Sequence, residues 1–394
     1  MPDVVVEFGA FTGLTLDDPV LGRLDENPLD GDVAFTPVPQ GVYQVSTSRG
    51  RDKDIGRTSA GSLSLGLRNE DRFFDPLVGA FKRFTFPRLP VRVSVESEPI
   101  FTGFVDDWNY SYSPDGRSEA TVEATDHFSR FSRQVLAPGT AVQEGTGARL
   151  ERVLDDPRVN YVGPRDIDAG NSTLAAGGVE GGALDYMLNI VEQSEQGLVF
   201  MAGDGTFTFR ERLLATEPAV LQFRDDGQGV PFSEVLVEYG SEDLVNQAIV
   251  TGPSGTAISE DLTSQVTYGI TALQIDTQLS SLAGQEGLAD FVISRFSEPE
   301  LRIRAVSVNL RAMSSAQVDD VLALEIGDQC DTIWTPNKVG DALAFRNRVI
   351  GISHDIGIND HRMTFNLEQL PFQFFVLDDP FFGKLDKADV VLGF

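Results

Sequence analysis

Three histidines, His127, His354 and His361, are the side chains that would first suggest metal binding or catalysis. So few leave little room for a histidine-based metal site or catalytic triad. His354 and His361, beside Asp355 and Asp360, lie on either side of a short turn and would face each other across a hairpin. A metal ion needs a third strong ligand, and the sequence shows none nearby. We therefore expect surface turn residues here, with a metal site as the alternative.

Other catalytic and binding motifs are missing from the sequence. It contains no Gly-x-Ser-x-Gly elbow, phosphate loop or Gly-x-Gly-x-x-Gly fingerprint. Residues 252–255 are typical of a turn, and residues 225–229 lack the alternating oxygen ligands of a calcium loop, which favours a solvated turn. Among 60 acidic residues, neighbouring carboxylates have no diagnostic value for glycoside hydrolysis. The sequence predicts a protein that is not an enzyme and has no cofactor.

The charge balance argues against nucleic-acid recognition. The chain has 31 Lys and Arg against 60 Asp and Glu, a formal net charge of −29. Gripping phosphates requires clustered cations, and an acidic surface repels DNA and anionic membranes alike. A single cysteine, Cys330, excludes an intrachain disulfide. The N-terminus lacks the pattern of a secretory signal and no apolar run has membrane-spanning length, so we expect cytoplasmic synthesis and no membrane insertion.

Hydrophobic periodicity divides the chain. A period of two, typical of half-buried strands, occurs at 42–46, 63–67, 91–95 and 121–124, and again at 304–308, 349–353 and 363–367. Between these regions the period becomes helical, at 150–154 after a possible Thr146 cap, at 184–191 and at 288–296. Residues 198–209 read as a hairpin.

The predicted fold class is mainly β with α+β inserts. Two β-barrel domains flank two small α+β domains, and extended arms lie at both ends. The predicted boundaries are 1–40 for the N-terminal arm, 41–139 for the first β-barrel domain, 140–229 for the α+β insert domain, 230–300 for the second α+β domain, 301–372 for the second β-barrel domain and 373–394 for the C-terminal segment.

Two related segments stand near the ends of the chain. Residues 16–25 reappear as residues 377–386 with seven identities in ten. Asp before Pro, followed by Gly, is turn chemistry, and the apolar residues around it form a small surface with an acidic rim. Such a hook is too short to fold alone, so it must dock on a neighbour. The candidate interaction residues are Leu16, Asp17, Asp18, Pro19, Leu21 and Leu24 in the N-terminal hook and Leu377, Asp378, Asp379, Pro380, Phe381, Phe382 and Leu385 in the C-terminal hook.

The order of several short motifs resembles that of bacteriophage minor tail proteins, the baseplate or tail-tip hubs of long-tailed phages. The similar segments are 47–51, 59–63, 67–76, 89–93 and 101–105 for the first domain, 147–154, 165–170 and 203–207 for the second, Asn246 with 263–269 for the third, and 324–328 with 350–354 for the last. They span nearly the whole chain, and hooks of this type also occur in such proteins.

The resemblance implies a homotrimeric ring at the virion tail tip. Its partners would be a distal tail protein or tail tube protein on one side and tip or fibre proteins on the other, with DNA passing through without specific binding. The acidic excess would then help DNA slide past the wall of the conduit. Two other functions remain open: a tail-tip hydrolase acting on cell wall or polysaccharide, and receptor binding through residues 140–300.

Overall fold

The computed structural model describes residues 3–11, 33–53, 56–212 and 219–370, and the backbone of 373–374 and 390–391. The fold is mainly β. The strands are β1 Val4–Phe11, β2 Val33–Pro37, β3 Val42–Gly50, β4 Ser59–Arg68, β5 Pro90–Val95, β6 Glu98–Tyr112, β7 Ser118–Thr125, β8 Gly139–Ala141, β9 Glu144–Gly145, β10 Arg165–Ile167, β11 Thr173–Leu174, β12 Gly177–Val179, β13 Leu198–Met201, β14 Phe207–Arg210, β15 Leu221–Arg224, β16 Glu234–Tyr239, β17 Gln247–Gly252, β18 Gly255–Glu260, β19 Ala272–Asp276, β20 Leu301–Asn309, β21 Gln329–Trp334, β22 Leu343–Gly357, β23 His361–Gln369, β24 Gln373–Phe374 and β25 Val390–Val391.

Helices are short and lie mostly in the middle of the chain. They are α1 Phe128–Phe131, α2 Thr146–Leu154, α3 Ala183–Tyr186, α4 Gln193–Glu195, α5 Leu262–Tyr268, α6 Leu282–Phe296 and α7 Ser315–Leu322. A π-helical segment, Met187–Glu192, joins α3 to α4. Among the described residues, no helix is both long and apolar enough to cross a membrane.

One sheet of thirteen strands combines strands from the first and last parts of the described chain. Its first part, β1 to β7, is called the first β unit, and its second part, β15, β16 and β20 to β23, is called the second β unit. The two parts are joined by antiparallel pairing of β3 with β22. Alternation explains the strands: Val91, Val93 and Val95 all point from β5 into the core and are buried.

The pairing in the first β unit returns on itself. The order is β1, β5, β6, β7, β4 and β3. Strand β2 pairs with β1 and then continues into β3. The chain between β2 and β3 is hydrogen-bonded to β1 on one side and to β4 on the other. The Val38 amide donates to the Val6 carbonyl, and the Arg68 amide donates to the Gly41 carbonyl.

The second β unit repeats that order of neighbours, with β15, β21, β22, β23, β20 and β16 in sequence around the circuit. Val230, just before β16, closes it, because its amide donates to the Gln222 carbonyl of β15. Four adjacent pairs have the same antiparallel direction as in the first unit, whereas β15 runs parallel to β21 where β1 is antiparallel to β5. The long strands β6 and β22 each carry an irregularity just after Val105 and Val349, respectively.

Two inserts interrupt the sheet. The first insert lies between β7 and β15 and contains the hairpin of β13 and β14, the helices α2 to α4, and a core that includes Leu150, Met187 and Phe209. The second insert lies between β16 and β20 and packs α6 on the three-stranded sheet of β17 to β19. The side chain of Asp261 caps α5, and that of Ser281 caps α6.

Several expectations need correction. Residues 4–11 and 33–37, assigned to an extended arm, are β1 and β2 of the main sheet. The predicted boundaries also put β15 and β16 in the α+β domains, whereas both lie in that sheet. Thr146 is the first residue of α2 and not its cap, and its hydroxyl donates to Glu195 at 2.9 Å. The strands at 42–46, 63–67, 91–95 and 121–124 and the hairpin at 198–209 are confirmed.

Candidate functional site

The predicted hook residues lie outside the described part of the chain. Both sets, 16–24 and 377–385, fall there, so their docking role stays a prediction.

The histidine pair lies in the protein interior. His354 on β22 and His361 on β23 are 2% and 0% exposed, and their Nδ1 and Nε2 atoms are 3.2 Å apart, so one ring donates to the other. Burial lowers the pKa of both rings, to about 4 for His361. The expectation of surface turn residues is therefore wrong: both rings face inward across the hairpin. No group of three His, Cys, Asp or Glu side chains suited to a metal occurs among the described residues.

The most unusual buried feature is a set of ion pairs around Glu368, at the end of β23. Three guanidinium groups surround its carboxylate. Arg348 Nη2 lies at 2.6 Å, Arg295 Nη1 at 2.9 Å and Arg51 Nη2 at 3.2 Å. All four residues are at most 8% exposed. We call these four residues the charged junction.

The members of the charged junction come from different modules. Arg51 follows β3 of the first β unit, Arg295 lies on α6 of the second insert, and Arg348 and Glu368 belong to the second β unit. Arg295 also donates through Nη2 to the Gln369 carbonyl at 2.7 Å. One carboxylate thus fixes three modules against each other.

Charge dominates the protonation of Glu368. Burial alone would raise its pKa, but Arg295, Arg348 and Arg51 together outweigh burial and hold the pKa of this carboxyl well below its usual range. Burial lowers the pKa of Arg348. A buried carboxylate with three cationic partners remains ionised, and removing it would leave those cations uncompensated.

A second contact links the first insert. Arg49, on β3, donates through Nη1 to Glu325 at 2.9 Å and to the Met201 carbonyl at 3.2 Å. The same Glu325 accepts from the Gly203 amide at 3.2 Å, in the turn between β13 and β14. The first insert is therefore held between both β units.

The two inserts also touch each other. The Gln278 amide donates to Ser194 Oγ at 3.0 Å, and Leu174 forms an isolated antiparallel bridge with Leu279. With the contacts of Arg49 and Glu368, each module is bonded to at least two others. Burial raises the pKa of the Cys330 thiol, so this thiol is not activated as a nucleophile.

Sequence reasoning missed the charged junction and the Arg49–Glu325 pair, although one signal was present for that pair. On β3 the inward positions read Val45, Thr47 and Arg49, so the alternation points Arg49 toward the interior. An inward arginine requires a buried partner. The partner's identity, at a separation of 276 residues for Arg49 and Glu325, has no local signal.

Comparison with known proteins gives a result at the level of structure. No protein-family model matches the sequence, and a search of curated proteins finds no match. The structure aligns with the 43 kDa tail protein of prophage MuSo2 from Shewanella oneidensis with a TM-score of 0.58 and 12% identity, over 94% of this chain and 98% of that one. It aligns with the tail protein from Neisseria meningitidis MC58 with a TM-score of 0.58 and 12% identity, over 83% of this chain and 96% of that one.

The chain has the fold of phage tail proteins. The alignment extends over both β units and both inserts, because it covers nearly all of this chain. Within this tail-protein fold, the charged junction occupies the place where the modules meet.

Proposed function

We propose that this protein is the structural hub of a phage tail tip. Three copies form a ring that joins the six-fold tail tube or distal tail protein to three-fold tip or fibre proteins. DNA leaves through the ring without specific binding. The proposal places the protein in the virion and assigns it no catalytic role.

The repeated strand order of the two β units carries this proposal. Each unit has a circuit of pairings that returns to its first strand, as a small β-barrel does. Two such barrels in one chain become six in a trimer, and six similar units match a six-fold neighbour while the copies themselves keep three-fold symmetry. The fold of phage tail proteins supports the same reading.

The charged junction suits a part that must keep its shape. A ring that transmits force needs a fixed angle between its barrels, and buried, multiply bonded charges favour one arrangement over others. The Arg49–Glu325 and Arg51–Glu368 ion pairs both link the first β unit to the second. They stabilise the geometry of the hub and not a reaction.

The acidic excess has a role in this proposal. A net charge of −29 on each copy would let a negatively charged wall repel the phosphates of passing DNA. A map of the assembled tip with a neutral or basic channel, and the acids on the outside, would contradict this role.

Binding of a host receptor through the inserts is a second candidate, favoured by exposed apolar residues on the second insert. Leu262 and Val266 lie one turn apart on α5, with Ile270 beyond its end, and Val266 is 89% exposed. Full-length protein should then bind host cells, and Val266→Asp should abolish binding while leaving the oligomeric mass unchanged. Equal binding by the variant would remove this candidate.

Stoichiometry in purified virions tests the hub directly. Quantitative mass spectrometry should find three copies of this chain per particle, beside tube protein in multiples of about six. Absence from the particle, or a six-fold copy number, would contradict the proposal.

A further inference from the structure

The junction between the two β units is an antiparallel strand pair inside one chain. Strand β3 pairs with the second half of β22, from Gln44 opposite Gly357 to Gly50 opposite Gly351. Because the two units repeat one strand order, each strand of this junction has a counterpart in the other unit. The counterpart of β3 is β16, and the counterpart of β22 is β6.

The counterparts can be aligned residue by residue. A row here means the residues that lie opposite one another on successive strands of the sheet. In the first unit, one row contains Ser46, Ser64, Glu123 and Asp107. In the second unit, the corresponding row contains Leu236, Ala305, Asn366 and Gly351. Both rows end on the first paired residue after the irregularity in the long strand. Leu236 therefore corresponds to Ser46, and Asp107 to Gly351.

Among the described residues, each counterpart strand has no pairing partner on the edge that corresponds to the internal junction. Strand β5 covers β6 only as far as Phe104, so among the described residues nothing pairs with that edge of residues 106–112. Within the described part of the chain, β16 pairs only with β20, so its other edge has no partner strand. Both edges carry exposed apolar side chains, with Tyr112 at 55%, Leu236 at 56% and Tyr239 at 71%.

We infer that β16 of one copy pairs antiparallel with the second half of β6 of the next copy. The register follows from the internal junction, where Ser46 lies opposite Asp355, four residues beyond Gly351. Leu236 of one copy then lies opposite Ser111 of its neighbour, four residues beyond Asp107. This inference rests on the proposed trimer and identifies the strands that hold it together.

Pairing between copies gives a partner to the edges of β16 and β6 that have none in the single chain. An exposed edge strand presents unpaired amides and carbonyls and invites association with other chains. A head-to-tail contact between unlike strands forms a closed ring when the rotation between subunits closes. Three copies then alternate the internal junction with the junction between copies, six in all, and bury Leu236 and Tyr112.

A double cysteine variant of the full chain, Leu236→Cys with Ser111→Cys, tests the register. Residues directly opposite each other on antiparallel strands have Cα atoms about 4.5 or 5.5 Å apart, within the range that a disulfide spans. Mild oxidation should give covalent trimer on a non-reducing gel. Leu236→Cys alone should give no covalent trimer, and Leu236→Cys paired with Ile258→Cys, exposed on the second insert, should give none either. Thermal unfolding of the reduced variants checks that each is folded.

The edge itself is tested by Leu236→Asp. A charged side chain on an edge strand opposes pairing with another chain, and Leu236 is 56% exposed in the single copy, so the change acts mainly on the junction between copies. This variant should lose trimer in native mass spectrometry. Val266→Asp on α5 is the matched exposed site and should leave the trimer intact.

The outcomes separate the inference from the function on which it rests. Covalent trimer from the Leu236 and Ser111 pair alone supports the junction. Native trimer that neither forms this disulfide nor responds to Leu236→Asp overturns the junction and leaves the hub in place. A chain that shows no trimer by mass and no disulfide at any concentration overturns both.

Discussion

The two β units share their strand order and fill one corresponding position with opposite chemistry. Just before the irregularity in its long strand, the first unit pairs Phe104 with Thr125, whereas the second pairs Arg348 with Glu368. Phe104 is covered by the guanidinium of Arg130 from α1, 3.4 Å from the ring centroid. Glu368 instead receives three guanidinium groups from three modules.

This difference shows that the buried charge lies where three modules meet and is not required by the strand order itself. A β unit of this order forms with an aromatic residue at the position, so the ion pairs are not needed for the strand order. They specify which modules dock and at what angle, at the cost of desolvating four charged groups. Both units otherwise pack on buried Val, Leu, Ile and Phe side chains.

The largest expected effect comes from removing Glu368. Glu368→Ala leaves three buried arginines without their shared anion and should lower the free energy of unfolding by about 3–5 kcal/mol. Thr125→Ala, at the corresponding position of the first unit, should lower it by about 1 kcal/mol. Urea unfolding followed by circular dichroism measures both, with Glu368→Gln as a control for shape. Equal losses in the two units would contradict the comparison.

The histidine pair gives a smaller, pH-dependent effect. His354 and His361 occupy the positions of Tyr110 and Ser118 in the first unit, since Tyr112 pairs with Ser118 as Ile356 pairs with His361. The pKa of His361 is about 4 when folded, below the value of about 6.5 when unfolded, so the unfolded chain binds more protons between these values. Stability therefore falls as pH is lowered through this window, by about 2 kcal/mol from pH 7 to 5 for His361.

Exchanging the pair for the residues of the first unit isolates that effect. The variant His354→Tyr with His361→Ser should lose this pH dependence when its free energy of unfolding is compared with that of the original chain at pH 7 and pH 5. The variant is measured against the original chain because a second group titrates in the same range. Burial raises the pKa of Asp126 to about 7, and that group stabilises the fold as pH falls. An unchanged slope in the variant would show that the pair does not titrate in this way.

The smallest effect on stability is expected from the C-terminal hook, which follows the second β unit in sequence. Deleting residues 377–394 should change the free energy of unfolding by less than about 0.5 kcal/mol, because a docking segment contributes little to the folded chain. Binding to the next tip component, measured by co-sedimentation, should weaken. Loss of soluble, folded protein would show that the C-terminal hook belongs to the core.

Local pattern predicted much of the fold, and its failures have physical causes. Alternation located β5, with Val91, Val93 and Val95 all buried. The strands β1 and β2 were missed because the five prolines of residues 1–40 indicated an extended arm, although an edge strand tolerates a residue such as Pro37. The assignment of β16 to an insert failed because its partner, β20, lies beyond a whole insert in sequence.

The candidate site was less predictable than the fold. Alternation on β3 indicates that Arg49 points inward, but no local signal joins Glu368 to Arg51 or Arg295, which are brought together only when the modules pack. The burial of His354 and His361 was missed for a related reason: the covering strand β3 lies about 300 residues earlier, and its pairing is long-range.

A cryo-electron microscopy map of the assembled tail tip tests the central claim most directly. We expect three copies around one axis, with the first and second β units alternating to make a ring of six barrels and β16 of each copy beside β6 of the next. A ring of six copies, or three copies whose β units do not alternate around the axis, would contradict it.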